Sequence, residues 1–232
     1  MKAWILDQPH QPLRLAGVEV PTPGPGQALV KVRGTGLCQS DVSFIDGVLP
    51  MYGPLPIILG HEPAGTIAAL GEGVSGWQVG DAVAAANTAS DCPGATSDGA
   101  FSEYFLVTAA RLVKLPHGMD WGQAAAATDA GITSYTGVVV DGQVKAGDRV
   151  GIVGLGTKEC TFEYVDLVVR RISVHGSSPL GETDHLHDVI SMIRSGDLTI
   201  RASEVSFDDI PDGLDRLRRG DVIGRLYATL PE

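Results

Sequence analysis

Leu59-Gly60-His61-Glu62-Pro63-Ala64-Gly65 decides how the rest of this 232-residue sequence is read. A histidine and a carboxylate stand side by side, glycines close the stretch on both sides, and the apolar run at 55–59 reads as a buried approach. Upstream, Gly36-Leu37-Cys38-Gln39-Ser40-Asp41 supplies a thiol. Thiolate, neutral imidazole and carboxylate form a zinc-type ligand set. Three protein ligands with one open position mark a catalytic rather than a structural site.

Composition bounds the setting of that site. Hydrophobic residues at 44% and charged residues at 19%, without a low-complexity tract, specify a packed core in one large or two small domains. A net charge of -11 argues against a nucleic-acid partner, because phosphate neutralisation needs a basic face, and gives solubility instead. The N-terminal residues lack the pattern of a signal peptide, and no apolar run is long enough to span a bilayer, so no membrane partner and a cytoplasmic location are expected. Three irregularly spaced cysteines make no disulfide framework and stay free to bind metal in a reducing compartment.

Residues 1–115 alternate short strand-like runs, such as 28–32, 65–70 and 101–107, with Pro- and Gly-rich turns, which predicts an antiparallel, barrel-like β domain. An alanine-rich helix capped by Asp120 is expected over 120–128 and a second over 132–140. A buried parallel-type strand is expected at 150–154. Gly154-Leu155-Gly156 then opens a phosphate-type turn, but Glu159 falls where the third glycine of a dinucleotide fingerprint belongs, so a tight turn is expected rather than a phosphate cradle. After an amphipathic stretch at 162–170 and a strand at 171–176, a helix is predicted from Thr183 to Ser195 closed by Gly196, then a helix over 207–219 and a last strand over 223–230 returning to the first domain. One βαβ unit takes roughly 30 residues and a dinucleotide fold needs several, so 151–200 is too short to build one.

These residues resemble the zinc-dependent medium-chain alcohol dehydrogenases. Gly60-His61-Glu62 with Gly65, Gly71 and Val74 fits that family's zinc signature, and residues 36–41 resemble its first ligand motif. Thr128-Asp129-Ala130-Gly131-Ile132-Thr133 matches its next ligand segment, where the ligand is Cys or Asp. Residues 144–156 match the strand leading to its cofactor turn, and 214–226 its C-terminal return. Two departures stand out: the four-cysteine structural zinc lobe between Ala82 and Tyr104 is reduced to Cys92, and most of the nucleotide-binding sheet is missing after Gly156. The resemblance implies a mixed α+β fold: a GroES-like β-barrel catalytic domain (1–140 plus 201–232) with a small α/β remnant of a Rossmann domain (141–200).

The resemblance implies Zn2+ as the metal, with Cys38, His61 and Asp129 as ligands. The competing readings are a buried thiol, a core histidine and a helix cap; the order of the three and their flanking motifs favour ligation. Glu62 is expected as a fourth ligand exchanging with water, or as a group behind the ligands. Asp41 is expected to accept from the other nitrogen of His61, and Ser40 resembles the family's proton-relay hydroxyl. Cys92 and Cys160 read as unliganded, while Phe44, Tyr52 and Trp121 are candidate pocket walls or packing residues. Zinc carries no hydride, so NAD(P) binding and efficient redox turnover are not expected, leaving Lewis-acid or zinc-water chemistry on small alcohol, carbonyl or ester substrates. Two alternatives are a working NAD(P)-dependent zinc alcohol dehydrogenase and a non-enzymatic assembly module. Apolar strand edges left uncovered in 151–176 predict a homo-oligomer.

Overall fold

Strand β3 (Gln27–Leu37) organises the architecture. In its first half Val30 and Val32 are buried while Lys31 and Arg33 are only half-buried, the alternation of a strand with one covered face. From Gly34 to Leu37 every residue is buried. Both faces are covered there: the backbone of Trp121 lies against Gly34, and Leu37 packs on Gly213.

The computed structural model describes residues 1–151 and 183–230, with Val165, Val169, residues 172–174, Gly176 and Ser177 between them. The remaining strands are β1 (Lys2–Leu6), β2 (Arg14–Gly17), β4 (Ile57–Ile58), β5 (Glu62–Leu70), β6 (Ala82–Ala85), β7 (Tyr104–Thr108), β8 (Leu112–Lys114), β9 (Ala202–Ser206) and β10 (Arg225–Thr229). Six of them join β3 in one seven-stranded sheet in the order β8-β6-β5-β3-β10-β9, with β7 also pairing β3, and β2-β1-β4 form a second. All pairs are antiparallel except β9 with β10. Among the described residues these pairings do not close a ring, yet the antiparallel, mixed α+β class expected from the sequence is present. The predicted return of the tail is there too: Leu226 to Thr229 of β10 face Leu37 to Gly34 of β3. The Trp4 indole N–H, donating to the Phe207 carbonyl at 2.9 Å, ties the first strand to the same tail.

Helix α1 (Gln39–Ile45) follows β3 directly. The alanine-rich segment forms α2 (Trp121–Ala126), whose first turn is capped by the Asp120 carboxylate accepting from the Gln123 N–H at 2.9 Å. The two helices expected over 120–140 form one uninterrupted helical run, α2 continuing through a π-helical turn (Ala127–Gly131), α3 (Ile132–Tyr135) and a second π-helical segment (Thr136–Asp141). Helix α4 (Thr183–Ser195) ends at Gly196 as predicted, with Gly196 at φ 83° supplying the left-handed stop. The predicted 207–219 helix is a 3-10 turn (Phe207–Asp209) followed by α5 (Ile210–Arg219), closed in the same way by Gly220. The turn at 154–156 and Cys160 lie outside the described residues, as do most of the expected strand at 150–154 and of the stretch at 162–170; the strand expected at 171–176 is not formed at its described residues, 172–174 and Gly176, which are exposed and have no strand partner to pair with among the described residues.

Two apolar clusters hold these elements. The larger gathers β1, β3, β5 and α5 around Phe101, Phe105, Leu37 and Leu214. The smaller joins Ala64, Ala84 and Val113 to the alanines of α2 and to Leu186, Val189 and Ile190 of α4. Helix α4 therefore packs against the β sheet, burying its apolar stripe at the spacing of one helix face. Close sheet packing also demands small residues: a Cβ on Gly65 would stand 2.0 Å from the Lys31 carbonyl oxygen. Gly65→Ala should cost roughly 2–3 kcal/mol by urea unfolding, against less than about 0.5 for Gly17→Ala, where a Cβ meets nothing within 4 Å.

Candidate metal centre

The site is assembled where β3 ends, β5 begins and the first π-helical turn passes over both. Cys38 is the N-cap of α1, in extended backbone, so its thiol stands at the junction of β3 and α1. Glu62 opens β5 with His61 immediately before it, and Glu62 lies across from Gly36 in the β3–β5 register. That position must be glycine, because a Cβ there would sit 1.9 Å from Glu62 Oε2. Asp129 is brought down by the π-helical turn, a local widening of the helix that recurs at functional sites.

One donor atom from each of Cys38, His61, Glu62 and Asp129 falls within a set whose members all lie within 4.8 Å of one another. Cys38 Sγ is 3.2 Å from Asp129 Oδ2, and His61 Nε2 is 3.8 Å from the same oxygen. Asp41, wholly buried, accepts from the Cys38 backbone N–H at 3.0 Å and touches His61 Nδ1 at 3.1 Å. With Nδ1–H donating to Asp41, the lone pair of His61 is left on Nε2, facing the other donors. The Ser40 hydroxyl is 3.6 Å from Cys38 Sγ. The structure thus brings together every residue singled out from the sequence as ligand, relay or support. Of the candidate pocket walls, Phe44 is buried in the larger core, where it meets the exposed Tyr52 edge-on, and Trp121 carries the Arg33 guanidinium at 5.6 Å from its ring.

Two neighbours were not anticipated. Arg225, at the start of β10, pairs with the Glu62 carboxylate, and its Nη2 is 3.8 Å from Asp129 Oδ2. Asn87 donates from Nδ2 to the His61 carbonyl at 2.7 Å. Arg225 sits 163 residues from Glu62 and no local pattern announces it; only its place in the C-terminal return segment carries a signal.

Burial and crowding set the protonation of the cluster. Burial raises the Cys38 thiol, and the Asp129 charge adds to it. Burial disfavours the His61 imidazolium, but the Asp41 charge and hydrogen bonds to Asp129 and Asp41 prevail and raise its pKa well above normal. Burial lifts Glu62 to about 8 against the pull of Arg225. Asp129 is also resisted by burial, yet the His61 hydrogen bond and charge hold it well below the usual carboxylate range. Cys92, pushed to about 11 by burial, is a thiol at neutral pH. Such a cluster suits a divalent cation: it offers one soft and several hard donors, and Glu62 Oε2 is buried with no hydrogen-bond partner of its own.

Residues 24–117 match the alcohol dehydrogenase GroES-like domain. An alcohol dehydrogenase of Moraxella sp. (strain TAE123) is 34% identical over 175 residues, covering 67% of this chain and 52% of that protein. The solved alcohol dehydrogenase of Aeropyrum pernix superposes with a TM-score of 0.86 at 22% identity, over 99% of this chain and 100% of that one. A cobalt- and zinc-bound alcohol dehydrogenase of Pyrobaculum aerophilum does so with a TM-score of 0.85 at 18% identity, over 99% of each. At these identities the structural likeness establishes the fold. The chain spans about half the length of the curated relatives it matches. Residues 24–117 are thus an alcohol dehydrogenase GroES-like domain, and the sequence relatives of the chain are alcohol dehydrogenases.

Proposed function

We propose that this chain is a zinc-binding catalytic domain of the alcohol dehydrogenase type, with Cys38, His61 and Asp129 as ligands and Glu62 as an exchanging fourth donor. The observation that carries the reading is the convergence of those four donor groups within 4.8 Å. The zinc and cobalt reported for the Pyrobaculum protein support it. Zinc held there supplies Lewis acidity toward a carbonyl, ester or alcohol oxygen and lowers the pKa of water to roughly 7.

The chain's own residues do the rest. Asp41 orients His61 by holding Nδ1 at 3.1 Å. Arg225 offsets the burial of Glu62 and draws its carboxylate toward β10, so Glu62 has two places to bond and can yield one. Ser40, beside Cys38, offers an O–H through which a proton can pass between a bound ligand and solvent. In this reading 1–140 plus 201–232 form the zinc domain and 141–200 a shortened cofactor-domain remnant. Residues 151–200 are too few for a dinucleotide fold, so nicotinamide binding and efficient redox turnover are not expected. Small alcohols, carbonyls or esters are the substrates, the setting is cytoplasmic, and copies associate through 151–176. Among the described residues no helix is long and apolar enough to cross a membrane. The exposed Val139, Val140, Val150, Ile172 and Val174 support association beside that segment. The end-to-end superposition on the Aeropyrum dehydrogenase favours a second reading, an NAD(P)-dependent dehydrogenase that completes its site with this short chain.

Metal analysis after dialysis should give one zinc per chain. Cys38→Ala/His61→Ala should abolish it, and Asp41→Ala should weaken chelator-resistant binding by about 10–100-fold; zinc retained by the double variant would overturn the ligand assignment. Titration with NADH and NADPH should show no saturable fluorescence change, whereas micromolar binding with alcohol turnover would establish the second reading. Light scattering should report a mass above that of one chain, and a monodisperse monomer counts against association through 151–176.

A further inference from the structure

The two oxygens of Asp129 are used differently. Oδ2 enters the cluster, 3.2 Å from Cys38 Sγ and 3.8 Å from both His61 Nε2 and Arg225 Nη2. Oδ1 instead accepts from the Thr133 hydroxyl at 3.2 Å. Thr133 stands one turn further along the helical run, in α3, and residues four apart on a helix are neighbours. A Ser or Thr hydroxyl within a helix has a ready alternative, the main-chain carbonyl about one turn earlier. Ser43 takes it, donating to the Gln39 carbonyl at 3.0 Å, and Thr128 donates to the Ala125 carbonyl at 2.7 Å. Thr133 gives its proton to the candidate ligand's side chain, and because it is exposed no packing demand places it there. A carboxylate can bind a cation through one oxygen or through both. The second mode would occupy the position that a catalytic zinc site keeps open. It would also require Oδ1 to give up a charge-assisted hydrogen bond.

We propose that Thr133 is a positioning residue that keeps Asp129 a one-oxygen ligand: by holding Oδ1 it presents Oδ2 alone to the metal and leaves a coordination position for a substrate oxygen or for Glu62. Its effect passes entirely through Asp129. This rests on the metal-site reading above.

The test uses the full chain loaded with Co2+, whose visible absorption is intense in four-coordinate sites and weaker when a fifth donor binds. Thr133→Val, which keeps the shape and loses the hydroxyl, should lower that absorption severalfold. Azide, titrated against the same band, should bind it about five- to tenfold more weakly, the worth of one hydrogen bond. Thr133→Ser, which keeps the hydroxyl, should restore both. In an Asp129→Cys background, where the ligand has a single donor atom, adding Thr133→Val should change neither. Unchanged absorption and azide affinity in Thr133→Val overturn the proposal. So does a change that Thr133→Ser fails to restore, or one that recurs in the Asp129→Cys background; each of these leaves the metal reading intact. Absence of cobalt uptake by the unaltered chain overturns both. If Asp129→Cys takes up no cobalt, the two single variants at Thr133 still decide.

Discussion

The carboxylate of Asp41 holds the site in one piece. Its two oxygens reach the first turn of α1, through the Cys38 N–H, and the start of β5, through His61 Nδ1. The Gly60 N–H approaches the same carboxylate at 3.4 Å. Two segments, 38–41 and 60–61, are thereby fixed to one buried group, and its charge is spread over donors rather than left bare. Removing it would free the imidazole to rotate and would unpin the N-terminus of α1 together. Both losses fall on residues that project candidate ligands.

The remaining charges obey a stricter balance. Glu62 and Asp129 share a small volume with a thiol, and burial penalises every one of their anionic forms. Arg225 is the cation that the chain itself supplies to this group, and it is shared between two carboxylates. One arginine against three potential anions leaves the cluster short of positive charge, and burial, against the pull of Arg225, raises Glu62 to about 8. The same shortage makes the site receptive to a divalent ion.

How far the sequence could be read follows from the range of each interaction. Cys38, His61, Glu62 and Asp129 sit in short motifs whose neighbours repeat a known pattern, and each was legible one stretch at a time. The ends of α4 and α5 were legible because Gly196 and Gly220 carry the stop in a single residue. The π-helical turn beneath Asp129 was not, since over five residues its spacing cannot be told from an ordinary helix. Arg225 and Asn87 were also hidden. One depends on β10 lying beside β3 and the other on the β5–β6 register, and both are settled only when the sheet is complete.

Strand β3 is bordered by β5, which follows it closely in the chain, and by β10, made only after all four candidate ligands. Until residue 225 has been synthesised, Gly34 to Leu37 lack one hydrogen-bonding neighbour and Glu62 lacks its cation. Such long sequence separations slow folding, because loop closure precedes the contacts that reward it. A nascent chain that has not reached β10 would therefore carry all four candidate ligands without the Arg225 charge that offsets the burial of Glu62. Maturation of the centre therefore waits for β10 to dock beside β3 rather than for the emergence of the ligand motifs.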